Sequence, residues 1–141
     1  MRRYFTKDAV FDQDKSITSI QEKSKILWKN VDLNSLIERI GDSRIVMLGE
    51  ASHGTHEYYT WRSIITRRLI EEKGFNFIAV EGDWPDCYKL NRYIKGYLPE
   101  ATDPKEVLKA FNRWPTWMWA NWEIVALAQG LHAQNRMLKQ E

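Results

Sequence analysis

Glu50, His53 and Glu81 are the residues whose types and spacing could do chemistry in this chain of 141 residues. One carboxylate can orient an imidazole while the ring takes a proton from water, so two carboxylates beside a histidine form an acid-base site. Glu50 and His53 sit in the run Gly49-Glu50-Ala51-Ser52-His53-Gly54-Thr55-His56-Glu57. Other chemistries fit that run poorly. Gly49 and Gly54 have the glycine spacing of a phosphate loop, but Thr55-His56 stands where Lys-Ser/Thr is needed, and Glu50 would repel phosphate. Ser52 is one residue out of register with a nucleophile elbow. Glu50, His53, His56 and Glu57 carry metal-binding atoms, yet the order His-x-x-His-Glu matches no zinc helix pattern, so no metal and no cofactor is expected. The competing structural reading is that Glu50 and His53 bond the loop backbone and cap the following helix.

The elements that must position these residues follow from the flanking pattern. Arg44-Ile45-Val46-Met47-Leu48 and Phe75 to Val80 are near-continuous apolar runs of the kind buried parallel strands show. Between them Thr55 to Lys73 has helical periodicity, with Gly74 as its stop. Strand, helix, strand predicts a βαβ unit with a right-handed crossover, hence an α/β fold with parallel strands flanked by helices. The loop then lies at the carboxyl end of the first strand, where ligands bind in open sheets, and Glu81 leaves the second strand at the same edge. Arg62, two turns into the helix, can reach back to it, because helical side chains lean toward the N-terminus. Two parallel strands alone do not make a covered sheet, so the pattern reads as an incomplete portion of a larger α/β domain.

Further elements are a short helix from Asp32 or Asn34 to Ile40, one from the Asp83-Trp84-Pro85-Asp86 loop to about Ile94, one over Glu106 to Phe111, and a long one from about Trp119 to Met137. Residues 1–30 are expected to be a loosely packed lead-in and 31–141 the domain portion. The net charge of +2 gives no reason to expect nucleic acid or an anionic membrane as a partner. With no long apolar stretch and no secretory leader pattern, a cytoplasmic location is expected. Cys87 is the one cysteine, which excludes an internal disulfide. Seven tryptophans, four of them at Trp114, Trp117, Trp119 and Trp122, mark a large packed or binding surface.

Longer stretches carry a family likeness. The run from Arg44 to Glu57, then Ile70-Glu-Glu-Lys-Gly-Phe75, Val80-Glu-Gly-Asp-Trp-Pro-Asp86 and Trp114-Pro-Thr-Trp-Met-Trp119, strongly resemble the erythromycin esterase family over roughly Ile40 to Asn135. The resemblance implies a hydrolase that opens macrolide lactones or a related ester with activated water and no covalent intermediate. It makes His53 the general base and Glu50 its acidic partner, with Arg62 and Glu81 completing the catalytic set. His56, Glu57, Trp84 and Trp117 are the candidate substrate contacts. The family's domain is more than twice this length and has a further histidine outside this chain. Gln129-Gly130-Leu131-His132 also departs from the expected tryptophan and arginine. With unpaired outer strand edges and a large tryptophan surface, the chain alone is expected to self-associate or to be only marginally folded, and to hydrolyse no macrolide at a useful rate. The alternative is a non-catalytic α/β fragment that assembles with a partner through its tryptophan-rich face.

Overall fold

The computed structural model describes residues 13–113 and 115–139, so Trp114 and the first twelve residues of the lead-in lie outside the described residues. The chain divides into two compact units, Met1–Glu38 and Arg39–Glu141. In the first, α1 spans Gln13–Lys23, where the sequence pattern gave no core element. A 3-10 turn over Asn30–Leu33 leads into α2, Asn34–Ile40, and Leu33 and Ile37 are buried. The Asp32 carboxylate accepts from the Trp28 and Lys29 amides at 2.8 Å each. The bond from the Lys29 amide, then that from Trp28, holds its carboxyl below the ordinary range.

The described residues of the second unit form α3 His56–Lys73, α4 Trp84–Ile94, α5 Pro104–Leu108 and α6 Trp122–Leu138. Each boundary has a local cause. Gly74 ends α3 in the left-handed conformation at φ 71°, which a residue without Cβ adopts freely. Pro85 stands in the first turn of α4, where its missing N–H costs nothing. Asp103 caps α5 by accepting from the Lys105 amide at 2.9 Å, which starts that helix earlier than its apolar pattern does. Asn121 accepts from the Ile124 amide at 2.9 Å and donates to the Trp117 and Met118 carbonyls at 3.0 and 3.3 Å. That cap begins α6 at Trp122 rather than Trp119, and Thr116–Met118 forms a separate 3-10 turn. Helix α6 packs on α3, α4 and α5, and α4 also packs on α5. Tyr59, Leu90, Val107, Leu108, Ile124 and Ala128 belong to the buried cluster between them.

The expected α/β architecture is corrected here. Among the described residues there is no strand, and the described chain is helical; the runs 44–48 and 75–80 belong to neither helix nor sheet. A strand exists only through its neighbour, whose N–H and C=O groups complete the ladder, and apolar content does not supply that neighbour. Ile45, Met47 and Phe77 are 79%, 91% and 79% exposed, so no layer covers these runs. Both instead line one open cavity of about 1360 Å³ beside α3.

Candidate active site

The loop from Gly49 to Thr55 joins the first of these runs to α3. Gly54 turns it at φ +85°, and a Cβ added there would stand 3.1 Å from Cζ3 of Trp117. The close approach brings Trp117 beside His53, with ring centroids 6.3 Å apart and the planes tilted by 53°. Thr55 is the N-cap of α3 by backbone position but makes no side-chain cap bond. Its hydroxyl lies 3.0 Å from that of Ser52.

The polar groups of Glu50 and His53 meet each other instead of capping the helix. Glu50 Oε1 is 2.5 Å from His53 Nδ1, and Oε2 accepts from Arg62 Nη1 at 2.7 Å. The Glu50 side chain is 8% exposed, that of Arg62 28% and that of His53 47%. A carboxylate held by a guanidinium is an acceptor, so it assigns a proton to Nδ1 of the ring, and in the neutral imidazole the lone pair is then on Nε2. Beneath the loop, burial pushes the Tyr59 phenol up, and the Glu50 charge adds to the shift.

Glu50, His53, Arg62 and Glu81 all border the cavity, together with Trp119. These contacts join Glu50, His53 and Arg62; Glu81 shares the wall without belonging to that chain of contacts. What Glu81 contributes to the packing is its backbone carbonyl, which accepts from Trp119 Nε1 at 3.0 Å. Gly82 must be small, because a Cβ there would come within 2.8 Å of Cys87 Sγ. Burial, then the charges of Asp86 and Asp83, pushes the Cys87 thiol up.

The four candidate substrate contacts are not gathered. Trp117 flanks His53, but His56 turns to α6, where its Nδ1 is hydrogen-bonded to Glu123, with Thr60 Oγ1 3.4 Å from its Nε2. Glu57 is exposed in the first turn of α3, and Trp84 is exposed and tilted against Tyr88 at 5.9 Å. Sequence reasoning missed Glu123, which stands 67 positions from His56 with no spacing signal to link them. It also missed Asn121, although an asparagine ahead of an apolar helix is a capping signature. The tryptophans split: Trp119 stacks on Phe111 at 5.7 Å, whereas Trp122 is exposed with Lys105 Nζ 4.4 Å from its ring. His132 serves the packing, its Nδ1 2.7 Å from the Tyr93 carbonyl and its ring stacked on Tyr93 at 4.8 Å. A Cβ at Gly130 would meet the Arg67 guanidinium at 3.6 Å, an ordinary van der Waals contact, so the packing there does not require glycine. Among the described residues no group of three His, Cys, Asp or Glu side chains converges as metal ligands must. No helix among them is long and apolar enough to cross a membrane.

Comparison with known proteins decides the family. The model of the erythromycin esterase family matches residues 70–141, just over half of the chain. The chain belongs to the erythromycin esterase family. It is similar to an erythromycin esterase type II of Escherichia coli, with 37% identity over 65 residues that make up 46% of this chain and 16% of that protein. The chain thus spans a small part of that relative's length. No solved structure matches. Within the erythromycin esterase match lie Glu81, Trp84 and Trp117, whereas Glu50, His53, His56, Glu57 and Arg62 precede it.

Proposed function

We propose that this erythromycin esterase family chain carries the general-base half of a hydrolase acting on a lactone or related carboxylic ester, a small-molecule substrate. The observation that supports the reading is the Glu50 carboxylate gripped between Arg62 and His53. Arg62 keeps Glu50 in place, Glu50 fixes the imidazole by Nδ1, and Nε2 is left to take a proton from water. The resulting hydroxide adds to the ester carbonyl carbon. Collapse of the tetrahedral adduct breaks the acyl C–O bond, and the leaving alkoxide takes the proton back from Nε2, giving alcohol and carboxylic acid. Water is the nucleophile throughout, and no acyl-enzyme forms. Glu81 and Trp117 are proposed to border the bound ester, with His56, Glu57 and Trp84 further out.

The deciding experiment is ester hydrolysis by a complete homologous domain carrying this segment. His53→Ala should lower kcat by roughly 10² to 10⁴, the usual contribution of acid-base catalysis. Unchanged kcat would remove His53 from the mechanism.

A further inference from the structure

Tyr59 lies on α3 one turn before Arg62 and is 2% exposed, in the same apolar cluster as Leu90 and Ile124. Its two ends have different surroundings. Arg62 Cζ stands 4.9 Å from the ring centroid, a distance at which an aromatic face holds a guanidinium. The hydroxyl is buried and has no hydrogen-bond partner among the described residues. Such a group costs free energy that a phenylalanine of nearly the same shape would avoid, so packing alone does not account for it. The Gly54 backbone and the Arg62 guanidinium act on its oxygen as hydrogen-bonding groups short of a formed bond, together with the Glu50 charge. Gly54 follows His53 directly, so one stiff side chain with two torsions neighbours both the guanidinium that grips Glu50 and the loop that carries the base.

We propose that Tyr59 is the positioning residue of the Arg62–Glu50–His53 chain, its ring seating the guanidinium and its unpartnered hydroxyl limiting where the loop beside His53 can settle. This deepens the hydrolase reading and rests on it. Tyr59 touches no reacting atom in this role; it acts through Arg62 and the loop.

The test is made on the full chain with Tyr59→Phe, read by thermal melting and by the NMR titration of the His53 imidazole. The expected result is a melting temperature equal to or above that of the unsubstituted chain, because a buried unpaired hydroxyl is gone. The His53 midpoint is expected to move by about 0.3 pH unit or more. Tyr93→Phe, at another buried tyrosine of the same cluster, should leave that midpoint in place. A smaller displacement in Tyr59→Phe overturns the proposal, whatever the melting temperature does. Should Tyr59→Phe not melt cooperatively, the unsubstituted chain decides: Arg62 Hδ resonances shifted upfield by the ring support the seating, and random-coil positions overturn it. Neither measurement reads ester turnover, so the positioning role and the hydrolase reading fail separately.

Discussion

Arg62 reaches back from the second turn of α3 to place Nη1 2.7 Å from Oε2 of Glu50, the carboxylate whose other oxygen meets His53. The Glu50 side chain is 8% exposed, so its charge depends on these two partners rather than on water. Removing one partner of such a pair leaves a desolvated charge, and Arg62→Ala should cost about 1 to 3 kcal/mol in urea unfolding. A change within about 0.5 kcal/mol, the range of ordinary surface substitutions, would show that the pair carries no load.

Gly54 combines a positive φ with the Trp117 ring in contact. Gly54→Ala should lose about 1 to 2 kcal/mol from the left-handed backbone alone, and the ring must also give way. Near-ultraviolet circular dichroism should register the displaced tryptophan. An unaltered spectrum together with an unaltered melt would contradict the close approach.

Cys87 should resist modification. Burial and the Asp86 and Asp83 charges disfavour its thiolate, so near neutral pH the reactive form is scarcer than in a free thiol. Reaction with a disulfide reagent should be slower than that of glutathione, rise with pH beyond the ordinary thiol range, and become fast in denaturant. A native rate equal to that of glutathione would rule out this environment.

Ile45, Met47 and Phe77 present apolar side chains to solvent along the cavity rim. Exposed apolar patches above a few hundred Å² mark interfaces or aggregation hazards. Sedimentation of the chain alone should give a mass above the monomer that rises with concentration. Met47→Lys with Phe77→Lys should return it toward the monomer; a concentration-independent monomer before substitution would sink the prediction.

Much of the helical structure was legible because its causes are local. Gly74 after a helical period and the apolar spacing of α3 act over a few residues, and the folded chain shows both at their expected place, whereas Pro85, expected in the loop ahead of α4, stands in its first turn. The Glu50, His53 and Arg62 group was legible for the same reason. Its members lie within 12 positions of one another, on a loop and the helix it enters, so the lean of helical side chains toward the N-terminus brings them together.

What the tertiary structure decided is non-local. Residues 44–48 and 75–80 have strand-like composition, but pairing requires a neighbour contributed from elsewhere, and the two runs line a cavity without forming a ladder. The His56 contact with Glu123, the Trp117 ring against Gly54 and the Trp119 bond to the Glu81 carbonyl join positions 38 to 67 apart. No periodicity encodes such meetings, because they depend on how α6 crosses the helices beneath it. The sequence by itself determined α3 with its Gly74 stop and the approximate extents of α2, α4 and α6, and it grouped Glu50, His53 and Arg62 around one loop because their spacing is local; only packing decided that the expected strands are absent among the described residues and that Tyr59 lies beneath the site.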